Sequence, residues 1–352
     1  MNKLFIRTTV SALVIVLTTG TITVSGNELS KKQHIKLGSA LSILSNTPLE
    51  NPVPLSSNIY SSSNTVKMDL ETASTIPGAG APISTGSMPV ASGKVVHKNG
   101  KVTIDASNTA DGYVMVAFTS STTKPLMVLV TGPSGTKYTY KLNSKGTYEV
   151  FPLSDGNGKY AITVCENISG SKYAQLLSQS LTVTLKTEFA PFLNPNQYVD
   201  YTNAPNTIAK AKELVSNKKT DLEKIASIYT YVVNTLSYDQ QKAQTVQSGY
   251  LPALDEVLSQ KKGICFDYAA LMTGMLRSQG IPCKLVIGYA GTTYHAWISV
   301  YTKENGWVEQ AVLFDGTSWK IMDPTFASSS NNNPEVLQYI GNNSNYSVRY
   351  LY

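Results

Sequence analysis

Hydrophobic and polar positions change their spacing along this chain. From Lys94 to Leu185, apolar residues recur at every second position in short runs: KVTID (Lys101–Asp105), GYVMVAF (Gly112–Phe118), LMVLVT (Leu126–Thr131), KYTYKL (Lys137–Leu142), TYEVFP (Thr147–Pro152), KYAITV (Lys159–Val164) and SLTVTL (Ser180–Leu185). A period of two is the spacing of a strand with one buried face. Asp111-Gly112, Gly132-Pro133-Ser134-Gly135, Lys145-Gly146 and Asp155-Gly156-Asn157-Gly158 supply the turns between them. Seven such strands in about ninety residues predict a small all-β sandwich over 94–189, expected to fold separately and to hold no catalytic residue.

After Asn196 the spacing becomes three and four. Thr220 and Glu223 form a capping box ahead of Leu222, Ile225, Tyr229, Val232 and Leu236, one apolar helical face. A second helix follows Cys265 and runs to Gln279, where Gly280 ends it and Pro282 bars its continuation. Lys284–Tyr289, His295–Thr302, Trp307–Phe314 and Trp319–Met322 read as strands, with a last one at Tyr346–Tyr352. Asn305-Gly306 and Asp315-Gly316 are hairpin signals among them. Helices first and an antiparallel sheet after make residues 190–352 an α+β unit. The two prolines of Glu188–Pro195 mark the boundary.

The N-terminal part fits neither period. Lys3 and Arg7, the apolar run Val10–Leu17 and the small residues Val24-Ser25-Gly26 make 1–26 a signal peptide. The apolar run is too short to favour an uncleaved anchor. Residues 27–93 are rich in Ser, Pro and Gly and predict a flexible spacer, with one short helix at Leu37–Leu44. The remainder is thus expected to be secreted or held at the cell surface.

Charge and cysteine content narrow the function classes. The chain has 29 Lys and Arg against 23 Asp and Glu, so 29 − 23 = +6 over 352 residues. Two of those cations lie in the signal, and the rest are too dilute to suggest a nucleic-acid partner. No later stretch reaches a membrane-spanning length of apolar residues. Three Cys cannot make a disulfide framework and leave an odd thiol. No Cys-x-x-Cys, His-rich or acidic-loop spacing suggests a metal, and no cofactor is expected.

The odd thiol has a candidate. Cys265 follows Gly263-Ile264 at the start of a helix, where the dipole and free N–H groups favour a thiolate and could cradle an oxyanion. Cys165 and Cys283 read as core. Of the three His, His34 and His97 lie in the spacer and at the sandwich entry, while His295 opens the strand His295-Ala296-Trp297. Asp323 ends a strand before Pro324, where a carboxylate could accept the His295 Nδ1–H and fix its tautomer. Tyr238 is either an oxyanion donor or a helix terminator, and Trp297 either shapes a cleft or packs a core.

These residues resemble the transglutaminase-like superfamily of papain-type Cys-His-Asp proteins. The resemblance rests on Gly263-Ile264-Cys265, Asp267-Tyr268-Ala269, Leu276-Arg277, Gly280-Ile281-Pro282 and Gly288-Tyr289, then His295-Ala296-Trp297, then Trp319 with Met322-Asp323-Pro324-Thr325, preceded by Tyr238-Asp239. It covers about Asn196 to Phe326. Two departures are Ile298-Ser299, where many members carry an acidic residue, and a longer interval from His295 to Asp323. The resemblance implies a papain-like transglutaminase core with Cys265 as nucleophile, His295 as base and acid, and Asp323 as orienting carboxylate. It implies acyl transfer through a thioester at peptide, isopeptide or glutamine amide bonds of a protein or peptide substrate, in the cell wall or outside the cell. Hydrolysis is expected ahead of amine crosslinking. The other reading is a non-catalytic surface-binding protein on the same scaffold.

Overall fold

The computed structural model describes residues 88–303, 306–308, 312–314, 319–321 and 345–352. The expected signal peptide, most of the expected spacer with its helix at 37–44, and Asp323 lie outside the described residues.

The first part contains β1 (Val96–Lys98), β2 (Val102–Asp105), β3 (Tyr113–Phe118), β4 (Leu126–Thr131), β5 (Lys137–Leu142), β6 (Glu149–Pro152), β7 (Gly158–Ser169) and β8 (Lys172–Val183). They form two four-stranded sheets, ordered β1-β2-β3-β6 and β5-β4-β7-β8. Strand β5 alternates between exposed and buried residues, with Tyr138, Tyr140 and Leu142 inward. Strand β3 is buried at all six positions, as a strand covered on both faces should be. Tyr140 of one sheet meets Phe151 of the other edge to face, ring centroids 5.1 Å apart. The last residues before β1 are tied to this part: the Val90 N–H donates to the Tyr113 hydroxyl at 3.2 Å, and the Gly93 N–H to the Asp105 carboxylate at 2.7 Å.

Two strand expectations need correcting here. Strand β1 carries too few apolar residues to stand out in the sequence. Lys159–Val164 and Ser180–Leu185 are pieces of one long hairpin of two 12-residue strands, turning at Gly170 with φ +51°. Pairing of β7 with β4 reaches Glu166 and stops, so the hairpin tip projects beyond its neighbour. Both faces of the tip meet water, Ile168 included, and the alternation that marks a half-buried strand is lost there.

The second part contains α1 (Pro205–Val215), α2 (Asp221–Thr235), β9 (Ser237–Tyr238), α3 (Gln240–Thr245), α4 (Leu254–Gln260), β10 (Lys262–Gly263) and α5 (Cys265–Ser278). Strands β11 (Cys283–Ala290), β12 (Thr293–Thr302), β13 (Gly306–Val308), β14 (Val312–Phe314), β15 (Trp319–Ile321) and β16 (Tyr346–Leu351) follow. An antiparallel sheet runs in the order β13-β12-β11-β16. Of the expected strand Trp307–Phe314, Trp307 and Val308 pair with β12 and Val312–Phe314 pair with β15; residues 309–311 lie outside the described residues.

Helix α2 starts at the expected capping box: Thr220 Oγ1 accepts the Glu223 N–H, and the Glu223 carboxylate accepts the Thr220 N–H. Helix α5 is buried at every position from Asp267 to Arg277, because α1, α2 and α4 cover one side and the sheet the other. Gly280, at φ +77°, lets the chain turn back into β11.

The two parts do not keep separate cores. One continuous apolar cluster holds Val128 and Tyr140 of the first part with Ile228, Leu271 and Ile287 of the second. Its seam is aromatic. Tyr140 contacts Tyr198 and Tyr352 at 5.7 and 5.9 Å, and Tyr138 contacts Tyr350 and Tyr352 at 5.5 and 5.6 Å. Lys141 adds a polar tie, its ammonium donating to the Ser248 carbonyl at 3.1 Å.

Candidate active site

Cys265 is the first residue of α5, and its side chain is half-buried against the core edge. The preceding Ile264 is extended, at φ −96° and ψ 176°, so the chain enters the helix abruptly at the thiol. The first N–H groups of any helix lack intrahelical acceptors. Cys265 is itself the first residue of that helix turn. A thiolate or an oxyanion is the kind of group such a helix end favours.

The entry to α5 is held from two sides. Strands β9 and β10 pair in parallel, with Tyr238 opposite Gly263, and the Asp239 N–H donates to the Gly263 carbonyl at 2.8 Å. Tyr238, from a distant part of the sequence, is thereby fixed beside the residues leading to Cys265. Within α5, Asp267 turns back so that its carboxylate accepts the Ile264 N–H at 2.8 Å. A Cβ on Gly263 would lie 2.5 Å from the Asp267 Cβ, so the glycine is what lets this carboxylate reach its place.

Strand β12 carries two more of the expected residues. Its alternation places Tyr294, Ala296, Ile298 and Val300 with the core that α5 shares, and His295, Trp297 and Ser299 on the opposite face. All of the latter three are buried. His295 pairs across the sheet with Gly288, and its ring lies 6.2 Å from that of Trp297 at an interplanar angle of 21°. Trp297 also packs on Tyr346 at 5.2 Å. Its indole N–H finds no hydrogen-bond partner among the described residues. Gly288 makes this layer possible: a Cβ there would sit 2.0 Å from the Ser347 carbonyl oxygen and 2.8 Å from the Trp297 ring.

Tyr294 was not singled out from the sequence. It faces the α5 side, and its hydroxyl is held well above the ordinary tyrosine range, first by burial, then by the nearby Tyr350, Tyr198, Tyr289 and the Cys265 sulfur. Asp267 and Arg277 were recognisable only as parts of a motif. Arg277 is fully buried with three carbonyl acceptors: Cys283 at 2.9 Å, Asn194 at 2.7 Å and Tyr352 at 2.5 Å. Burial pushes its guanidinium down to about 10, which leaves it charged at neutral pH. It clasps the C-terminal end of α5 to three separate segments. Cys283 is core, as expected: its thiol lies 3.5 Å from Thr273 Oγ1, and burial pushes it up to about 11. Cys165 is likewise a buried free thiol.

Of the expected site residues, the structure thus brings Cys265 and Tyr238 to one helix end, whereas His295 and Trp297 lie on the face of β12 turned away from α5, and it is Tyr294 that faces the Cys265 side. Among the described residues there is no group of His, Cys, Asp and Glu able to hold a metal ion. Nor is any helix among them long and apolar enough to cross a membrane.

Residues 208–311, which include Tyr238, Cys265, His295 and Trp297, match the family model of the transglutaminase-like superfamily. Kyphoscoliosis peptidase of Homo sapiens is 30% identical over 117 residues, 33% of this chain and 17% of that protein. An uncharacterized protein of Mycobacterium tuberculosis is 28% identical over 158 residues, 40% of this chain and 44% of that protein. The chain thus spans less than half the length of these curated relatives. Among solved structures, a candidate cysteine protease from Cytophaga hutchinsonii overlaps 68% of this chain and 76% of its own at a TM-score of 0.35 and 14% identity. Red sea bream transglutaminase overlaps 60% of this chain and 48% of its own at a TM-score of 0.20, also at 14% identity. Those two overlaps are too partial to bear on chemistry.

Proposed function

We propose that this transglutaminase-like domain is a thiol-dependent acyl-transfer enzyme acting on peptide, isopeptide or glutamine amide bonds of proteins or peptides. The observation that carries the reading is the half-buried Cys265 at the first position of a long helix, with its entry turn locked by Gly263 and Asp267. A buried structural cysteine needs no such presentation, and Cys283 in the same domain has none.

In this mechanism the Cys265 thiolate attacks the amide carbonyl carbon. The carbonyl oxygen takes up negative charge and is met by the free N–H groups of the α5 first turn, with the Tyr238 hydroxyl as a further candidate donor. The thiol proton goes to the leaving amine, which departs as the C–N bond breaks and leaves a thioester on Cys265. The triad reading gives this transfer to His295, which stands on the β12 face turned away from α5, so the transfer requires β12 to present that ring to the sulfur. Asp323 accepts the His295 Nδ1–H and fixes the tautomer. Water, deprotonated by His295, then hydrolyses the thioester. An amine in place of water gives a crosslink instead. Hydrolysis is the preferred outcome. Trp297 braces the His295 ring from the same strand face.

The leader-like residues 1–26 and the Ser/Pro/Gly-rich 27–93 support export, with action on extracellular or cell-wall protein. Labelling with a thiol-directed activity probe, followed by peptide-library cleavage and labelled-amine incorporation, tests the reading. Cleavage without amine incorporation fits a hydrolase, and incorporation fits a crosslinker. A folded protein with neither activity, and with Cys265 no more reactive than free cysteine, returns the domain to a non-catalytic binding role.

A further inference from the structure

At the entry turn of α5 lies a charged cluster that the reaction itself does not use. Asp267, the third residue of α5, is completely buried. Besides the Ile264 N–H, its carboxylate accepts a hydrogen bond from the Lys242 ammonium at 2.7 Å and another from the Tyr250 hydroxyl. Lys242 comes from α3 and also lies over the Tyr250 ring, 4.2 Å from its centroid. The three side chains come from three segments and meet only in the fold.

A buried carboxylate without partners would be costly or would take up a proton. Two residues from a thiolate, a bare carboxylate would also repel it, because like charges disfavour the ionised form. Lys242 supplies the compensating charge and Tyr250 the remaining hydrogen bond. The other ionisable groups around this helix end have their own engagements. Asp239 caps α3 and pairs with Lys262 at 3.2 Å. Glu256 of α4 faces Tyr250, whose hydroxyl is kept protonated by burial and by the Asp267 charge. Tyr294 and His295 stand on β12.

We propose that Lys242 and Tyr250 are positioning residues for the nucleophile: they neutralise and lock Asp267, so that its carboxylate clamps the Ile264 N–H and Cys265 is presented with no unbalanced negative charge two residues along the helix. This rests on reading Cys265 as the nucleophile. The neutralised carboxylate keeps the turn at Ile264 fixed. Lys242 and Tyr250 also line a cavity of about 360 Å³, together with Asp239, Glu256 and Lys262. Shortening either side chain therefore opens onto that cavity and leaves the packed core of α5 in place.

The test is the pH profile of Cys265 alkylation by iodoacetamide, resolved by peptide mass spectrometry from the buried Cys165 and Cys283. It compares the full chain with Lys242→Met, Lys242→Arg and Tyr250→Phe, with thermal melts alongside. Lys242→Met is expected to move the alkylation midpoint upward by about one pH unit, a roughly tenfold loss of thiolate near neutral pH. Lys242→Arg should restore most of it, and Tyr250→Phe should move the midpoint in the same direction by less. A folded Lys242→Met with the wild-type midpoint overturns the proposal. Should Lys242→Met fail to fold, an unmoved midpoint in folded Tyr250→Phe overturns it equally. A wild-type Cys265 that titrates as a free thiol and supports no turnover defeats the nucleophile reading. A low wild-type midpoint that ignores both substitutions defeats only the role of the cluster.

Discussion

Tyr198 lies flat on Tyr352, with ring centroids 4.2 Å apart and planes 18° from parallel. The stack joins the stretch just after the expected boundary to the residue that follows β16. Tyr140 of β5 closes on the edges of both rings. The sheets of the first part and the helical part are thus welded by aromatic contact, and each such pair contributes about 0.5–1.5 kcal/mol beyond its buried area.

Tyr198→Ala should destabilise the whole chain by about 3 kcal/mol, the usual cost of removing a large aromatic side chain from a core. Urea unfolding followed by tryptophan fluorescence and by far-ultraviolet dichroism should give one transition, shifted equally for both probes. The three Trp lie in the second part and report on it, whereas dichroism reports on both parts. Two separate transitions with only one displaced would show that the parts unfold independently despite the shared seam.

The proposed catalytic residues carry graded expectations. Cys265→Ala should abolish turnover while the melting temperature stays close to wild type. His295→Ala should abolish it too, but with a lower melting temperature, because the ring is buried against Trp297. Asp323→Asn should keep the fold and lose about 10–10³ in rate. That is less than the loss of an orienting carboxylate in a serine triad, because a thiolate is intrinsically more nucleophilic. Steady-state kinetics on a cleaved peptide reads all three. Undiminished turnover in His295→Ala would remove the histidine from the mechanism.

Gly288→Ala places a methyl against the Ser347 carbonyl, which is backbone and cannot swing aside. The β11–β16 pairing, already irregular between Ile287 and Gly288, should open there. Hydrogen exchange at residues 346–351 should accelerate at least tenfold, with a fall in melting temperature. Protection at wild-type levels would mean that the strands part without cost.

Cys283 gives a pH prediction with a definite sign. Its thiol is pushed up to about 11 in the fold from an ordinary value near 9, so the folded state favours the protonated form. The associated stability is fully present below pH 9 and is lost as pH rises from 9 towards 11, by up to about 1.4 kcal/mol per pH unit for one proton. Tyrosines titrate in the same range, so the comparison is of slopes. Denaturant stability of Cys283→Ala should fall less steeply between pH 9 and 11 than that of wild type. Parallel slopes would show that the thiol does not titrate differently in the two states.

The sequence carried much of this arrangement where a signal is local. Strands β2 to β6 follow alternations such as Lys137–Leu142, α2 begins at Thr220, and α5 runs from Cys265 to the turn at Gly280. Cys265 at a helix start was legible for the same reason. What stayed hidden depends on distant partners or on solvent. The β7–β8 tip loses its period where both faces are wet. That Trp307 pairs with β12 while Val312–Phe314 pair with β15 is decided by distant partners. The Lys242, Tyr250 and Asp267 cluster spans 25 residues with no spacing rule to announce it. Tyr294 and His295 are neighbours in sequence on opposite faces of β12, and no pattern of apolar residues says which of them looks toward α5.

Arg277 sets a condition on how the molecule can come apart. Its three carbonyl acceptors, at Asn194, Cys283 and Tyr352, arrive from segments far apart in the chain. Until all three are in place, a full positive charge sits at the end of an apolar helix with nothing to solvate it but water. The Tyr352 carbonyl also accepts the Leu285 N–H at 2.8 Å, so peeling away the final strand strips the guanidinium and the sheet together. Fraying at that edge is therefore not a local event. Water has to enter beside α5 before β16 can leave. The strand then behaves as a latch that opens only with the core, and a protease able to cut at 346–352 would report global unfolding.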